Sequence, residues 1–374
     1  MKNTIYRYFF YEFFRYFSIT IFALALVVWA IQSVNYLDLV TEDGHAFNIY
    51  FIYSFLTLSK VLTKLIPFAF LTSIVLTIIK FEKDNELITI WTSGLNKINL
   101  VNLIIRISLV VMLLQIFLTS VINPALLNLS RSILKNSQLQ FIPSLMKEKQ
   151  FNDTLDGITI FIEKKEGNNI YKNIFIQDDN STLSKIGDTS STILAKSAYI
   201  SSGKKQLELY DGYIQKLEKD GNIGVVKFEK TVLDLSSLST KSIVEPKIQE
   251  TSTILIFKCL IQKDINLHNC KKNKKSLMDI KIEFNKRFGM PIFIPLLALI
   301  CSFLLSSRRD QKLFHYNKYI YFFICVLTLV LAEIFVRYSG ISWKHSFIYY
   351  LIPILISPLI YLTLIRKFKY ENLV

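Results

Sequence analysis

Six apolar runs dominate the sequence, each long enough to cross a lipid bilayer as a helix. A hydrocarbon core about 30 Å thick takes roughly 20 residues at about 1.5 Å each. Windows of about 19 residues pick out residues 16–37, 59–79, 101–122, 288–307, 319–337 and 347–365. Every backbone N–H and C=O inside a bilayer must be satisfied by protein, which makes helices the natural form for such runs. Composition agrees: 51% of the 374 residues are hydrophobic and 14% aromatic, with mean hydropathy +0.36. The first run follows Lys2, Arg7 and Arg15, as a signal peptide would. No small-x-small cleavage site follows Trp29, however, and Gln32, Ser33 and Asn35 carry the helix outward, so an uncleaved first span is expected.

Lysine and arginine in the short loops set the orientation. Lys2, Arg7 and Arg15 precede span one, Lys80, Lys83 and Lys97 join spans two and three, Arg308, Arg309, Lys312 and Lys318 join spans four and five, and Arg366, Lys367 and Lys369 follow span six. On the other side, residues 41–48 (TEDGHAFN) carry none, and the last outer loop has only Arg337 and Lys344. Both ends of the chain are therefore expected in the cytoplasm. The segment between spans three and four is then expected outside, which in a bacterium means the periplasm.

That insert changes period. GITIFIE, NIYKNIFIQDD, STILAKSAYIS, KQLELYDGYIQ and GVVKFEKTVLDL alternate apolar and polar residues, the mark of half-buried strands. Turn residues separate them at 166–169, 178–180, 202–203 and 220–222. About seven or more short strands without helices predict a sandwich or jelly roll. Residues 252–265 read as an amphipathic helix, HNCKKNKK as a polar linker, and 276–288 as a helical lead into span four. The fold class is an α-helical polytopic membrane protein with an inserted all-β, jelly-roll-like domain. Residues 1–122 hold spans one to three, 123–287 the insert and its helical linker, and 288–374 spans four to six.

Several functions lack their residues. The net charge of +15 is spread along the chain without a recognition motif, so nucleic acid is not expected as a partner. Four cysteines and four scattered histidines show no metal-ligand spacing. Cys301 and Cys325 lie in apolar runs as small hydrophobes, whereas Cys259 and Cys270 can pair only in an oxidising compartment; pairing and free thiols both stay open. No Ser/His/Asp set, paired carboxylates or G-x-x-x-x-G-K-[ST] occurs, so no catalytic residue, metal or chain-bound cofactor is expected, and any ATP belongs to another subunit. A receptor would need a cytoplasmic output domain, and RKFKYENLV after span six is too short for one. A lipid-modifying enzyme would need convergent acid, base or nucleophile groups.

The loop between spans two and three, NELITIWTSGLNK (85–97), is too structured for a passive connector. Asp84 or Asn85 can cap a helix there, Glu86 suits its first turn and Gly94 its end. Leu87, Ile90, Trp91 and Gly94 share one face. An acidic start suits a protein partner, and the alternative is a helix lying on lipid headgroups. Lys60 and Lys64, one turn apart in span two, face either a lipid-filled cavity or snorkel to the interface. Glu333 and Arg337 have the spacing of an intrahelical ion pair in span five, either structural or tuning a gate.

This layout, the E-L-x-x-x-x-x-S-G stretch from Glu86 to Gly94, the Glu283/Arg287/Pro291 entry to span four, and Pro67 in LIPF resemble the LptF/LptG (YjgP/YjgQ) permease family of the lipopolysaccharide-export ABC transporter. FIEKKEGNNIYKNIFI (161–176) resembles the LptF type more than LptG. The resemblance implies a non-catalytic subunit that works with an LptB-like ATPase dimer, a second LptF/LptG-type permease, an LptC-like bridge protein and lipopolysaccharide. It implies that the loop helix contacts the ATPase through Glu86, and that gates lie at spans one and five. Family members commonly carry basic residues near the outer end of span one for lipid A phosphates. WAIQSVNYLDLVTEDG (29–44) has none, which shifts the expected lipid contact to Lys60 and Lys64.

Overall fold

The computed structural model describes residues 2–41, 46–145, 148–155, 157–166, 170–179, 190–201, 206–217, 223–234, 247–261, 274–306 and 314–371. The turns at 167–169 and 202–203, and the basic residues Arg308, Arg309 and Lys312, lie outside them. The chain divides into two compact units: residues 1–30, 57–128 and 247–374, and residues 31–56 and 129–246.

The helices are α1 (Lys2–Asn35), α2 (Asp38–Thr41), α3 (Phe47–Lys83), α4 (Glu86–Thr92), α5 (Lys97–Phe117), α6 (Asn123–Leu145), α7 (Thr253–Ile261), α8 (Lys274–Ser302), α9 (Phe314–Ser339) and α10 (Trp343–Glu371). Six stretches are long and apolar enough to cross a membrane, as the sequence predicts. They are not equivalent. The apolar windows of α3 and α8 are 61% and 72% buried, against 6% for α1 and 17% for α9 and α10. The second and fourth spans therefore form the centre of their unit, and the first, fifth and sixth lie at its margin. Their exposed Phe22, Phe323 and Phe347 suit lipid or another helix.

The third span outruns its predicted end at residue 122. A π-helical turn, Leu118–Ile122, follows α5, and α6 continues directly from Asn123. Pro124 lies in the first turn of α6, where its missing N–H is tolerated, and the wide π turn absorbs the mismatch between the two segments.

Small and polar residues close the centre. A Cβ on Gly289 of α8 would collide with the Tyr349 ring of α10, so glycine sets how near these helices come. Asn285 is buried and donates to Ser339 Oγ at 2.8 Å and Ser346 Oγ at 2.9 Å, tying α8 to α9 and α10. Cys301 and Cys325 are buried free thiols with sulfurs 3.5 Å apart. α7 falls within the expected 252–265 helix, whose last residues, 262–265, lie outside the described ones, and it buries Ile256 and Cys259 with Ile280 of α8. Cys259 is disulfide-bonded, and Cys270 lies outside the described residues.

The other unit carries six antiparallel strands, each paired with the next: β1 (Phe151–Leu155), β2 (Ile158–Glu166), β3 (Ile170–Asp178), β4 (Ser191–Ser201), β5 (Gln206–Leu217) and β6 (Ile223–Asp234). Six are counted among the described residues, against the seven or more short strands expected, and residues 180–189 and 235–246 lie outside that description. The sheet carries a crease. Buried positions change parity between Tyr171 and Ile174, between Ala195 and Ala198, and between Leu209 and Gly212. Asn173 and Asp211 each have φ 50°, and with Lys196 they lie in one row across three strands. A left-handed residue rotates the pleat, so the next side chains swap faces. Alternation thus breaks within a strand as well as between strands. Burial pushes the Tyr171 phenol up from its ordinary value.

Gly289→Ala should force α8 and α10 apart at a destabilisation of about 1–3 kcal/mol. A lower unfolding midpoint in detergent is the expected result, and an unchanged midpoint would show that the Tyr349 ring can move aside.

Candidate functional site

Three prolines leave three backbone carbonyls without their helical donors, and each carbonyl is answered by a side chain. Pro67 in α3 cannot donate to Thr63, four residues earlier; Gln115 Nε2 donates to the Thr63 carbonyl instead, at 3.1 Å. Pro291 in α8 leaves the Arg287 carbonyl, and Thr119 Oγ1 from the π turn donates to it at 3.0 Å. Pro124 leaves the Ser120 carbonyl, which accepts from Thr253 Oγ1 of α7. Asn123 Nδ2 adds a bond to Thr63 Oγ1 at 2.7 Å. These bonds join α3, the third span, α7 and α8 around a cavity of about 280 Å³, to which α9 contributes Glu333.

Charge is concentrated there. The Arg287 guanidinium is buried and fully committed. Its Nε donates to Glu283 Oε1 at 2.9 Å, one terminal nitrogen to Thr253 Oγ1 at 2.8 Å, and the other to the Gln249 carbonyl at 3.1 Å. Glu333 does not form the intrahelical pair with Arg337 that its spacing suggests. It meets Lys286 of α8 at 2.8 Å, while Arg337 is exposed. An interhelical partner wins because Lys286 and Glu333 both face the cavity, whereas Arg337, a full turn on, faces away from the packed centre. Lys60 and Lys64 line the same cavity, and neither cavity carboxylate pairs with them. Two carboxylates against four cations leave a formal net double positive charge in a wall that also carries Thr63, Gln115, Thr119, Asn123 and Gln249.

The loop helix sits differently from its expected pose. α4 spans Glu86–Thr92, inside the predicted 84–94. No side chain caps it; Asn85 has φ 59° and ends α3, its N–H donating to the Glu82 carbonyl at 3.1 Å. Gly94 takes the left-handed conformation expected at the helix end, with φ 83°. Leu87 and Ile90 are 6% and 7% exposed and belong to the chain's own core. Trp91 packs partly against that core, with the Lys97 ammonium 6.0 Å from its ring centre. Ile88, at 59% exposure, points outward with Thr89 and Thr92. Glu86 Oε1 accepts from the Tyr8 hydroxyl of α1 at 3.0 Å, beside an ion pair of 2.8 Å between Lys80 and Glu12.

Sequence reasoning reached Lys60, Lys64, Glu333 and Glu86 and missed Gln115, Thr119, Thr253 and Tyr8. A signal for the first three existed: hydroxyl and amide groups near apolar spans, in a chain whose prolines each free one carbonyl.

A charged cavity walled by spans two to five, with an antiparallel insert after the third, defines a polytopic helical membrane protein organised around a polar cavity between its helices. A family model described as "Lipopolysaccharide export system permease LptF/LptG" matches residues 7–367, and the chain belongs to that family. A Rickettsia prowazekii (strain Madrid E) protein named "Uncharacterized protein RP871" is 28% identical over 225 residues, covering 59% of this chain and 61% of that protein's length. The chain thus spans about three fifths of that relative.

Thr119→Val and Gln115→Leu keep side-chain shape and remove the donor. Each should destabilise the helical unit by about 1–3 kcal/mol, the cost of an unsatisfied buried carbonyl, seen as a lower unfolding midpoint in detergent. A midpoint equal to wild type in both would show that the proline-freed carbonyls find other donors.

Proposed function

We propose that this chain is a transmembrane subunit, of LptF type, in an ABC transporter that draws lipopolysaccharide from the inner membrane and passes it to a periplasmic bridge. ATP is hydrolysed on a separate LptB-like dimer. The observation that carries the proposal is the doubly positive excess of the cavity. Lysines inside a membrane segment are costly unless an anion meets them, and the two cavity carboxylates are held in ion pairs by Lys286 and Arg287. A lipid A phosphate fits Lys60 and Lys64, in place of the basic residues that span one lacks. Glu333, tied to Lys286, belongs to the fifth-span gate, with Arg337 one turn beyond on its outer face.

The termini are assigned to the cytoplasm and the insert to the periplasm. Loop charges and the disulfide at Cys259 support this, since disulfides persist in oxidising compartments. Its creased meander is the framework for the jelly-roll-like domain. A strand edge there suits an LptC-like partner. The apolar flanks of α1, α9 and α10 suit a second permease subunit, and the outward side of α4, with Glu86, suits the ATPase.

Lys60→Ala combined with Lys64→Ala should lower lipopolysaccharide transfer severalfold in proteoliposomes while leaving ATPase association intact; unchanged transfer would remove these lysines from the lipid path. Affinity purification in detergent should recover a P-loop ATPase and a second six-span subunit, and Glu86→Lys should lose the ATPase alone. A chain that purifies by itself with full transfer activity would overturn the assignment.

A further inference from the structure

Glu86 has an incomplete set of partners. One carboxylate oxygen accepts from Tyr8 at 3.0 Å; the other is shielded from solvent and accepts no hydrogen bond among the described residues. A carboxylate has sites for about four donors, and a guanidinium satisfies it best by bonding both oxygens side by side. Here the Tyr8 hydroxyl already takes a site on Oε1, within the approach a side-by-side guanidinium would use. The hydroxyl comes from α1, the helix with the least burial. Of its described residues only Phe9, Glu12, Phe13 and Ala25 are buried, three of them within two turns of Tyr8. Around them lie the Glu12–Lys80 ion pair and ring contacts of Phe9 with Phe81 and Phe13 with Phe70, at 5.4 and 5.7 Å between centroids. The first span is thus fastened to α3 and α4 mainly at its Tyr8 end.

We propose that Tyr8 is a positioning residue that competes with a guanidinium of the ATPase subunit for Glu86, so that docking on α4 unfastens the inner end of the first span. The proposal rests on the ATPase reading of α4. When a guanidinium takes both Glu86 oxygens, the Tyr8 hydroxyl is displaced, and the inner end of α1 keeps the Glu12–Lys80 pair and its ring contacts. An event on the cytoplasmic side then reaches span one directly, without passing through spans two and three.

The test uses the full chain in its purified complex, reconstituted in nanodiscs, with the ATPase subunit recovered alongside wild type as the titrant. Tyr8→Phe keeps the ring and removes the competitor, so the ATPase should bind roughly three- to tenfold tighter. In a Glu86→Gln background, where the carboxylate is gone, the same change should leave affinity unaltered. A spin label at Phe22→Cys, a position 72% exposed on α1, should gain mobility when the ATPase is added to wild type, and be mobile beforehand in Tyr8→Phe. Equal or weaker ATPase binding by Tyr8→Phe, with Glu86→Gln still weakening wild type, would overturn the competition and leave the ATPase contact standing. Glu86→Gln binding as tightly as wild type would overturn the contact itself.

Discussion

A backbone carbonyl inside a bilayer has no water to turn to, and the helical unit is organised around that fact. Proline in a span breaks the local ladder, and at Pro67 and Pro291 the freed oxygen is met by a side chain of a neighbouring helix. Pro67 and Pro291 lie within α3 and α8, the two most buried spans, and the donors that answer them come from the third span between. The same bonds that repair the backbone therefore fix the spacing of three helices and leave a cavity bounded by polar groups. Charge follows from this. Once donors and acceptors gather in one place, lysine, arginine and glutamate can be held there at lower cost than anywhere facing lipid.

The architecture was legible because its signal is long and redundant. Six apolar runs, asymmetric loop charge and a change of period each survive many individual exceptions, and the family motifs at Glu86–Gly94 and Glu283–Pro291 add to them. The segments around Asn173 and Asp211 were legible as strands, but the crease was not: a left-handed residue in mid-strand shifts the buried parity without ending the strand. The pairing of Glu333 was misread for a related reason: spacing of four favours a partner on the same helix, and nothing in one helix reveals that α8 offers Lys286. Side-chain direction across helices is a tertiary property, and single-segment patterns cannot contain it.

The loop helix shows how an amphipathic pattern can be right about form and silent about address. Leu87, Ile90 and Trp91 do lie toward one face, as their spacing requires, but the chain's own core receives them. An apolar stripe reports that something will cover it, without saying whether the cover is another protein or the next span. For α4 the consequence is mechanical. A helix seated on its own spans through Leu87 and Ile90 moves with them, while Ile88, Thr89 and Thr92 point outward.

The interval between Thr119 and Arg287, 168 positions along the chain, also has a meaning in time. Ribosomes extend chains at about 5–20 residues per second, so the third span waits on the order of 10–30 seconds for the fourth to be made. Thr119 is suited to the wait, because its hydroxyl also lies 2.9 Å from the Gln115 carbonyl of its own helix. The arriving segment has no such provision at Pro291; its exposed carbonyl finds a donor already standing in the membrane. Order of synthesis and order of satisfaction coincide, and the β insert is completed in the interval.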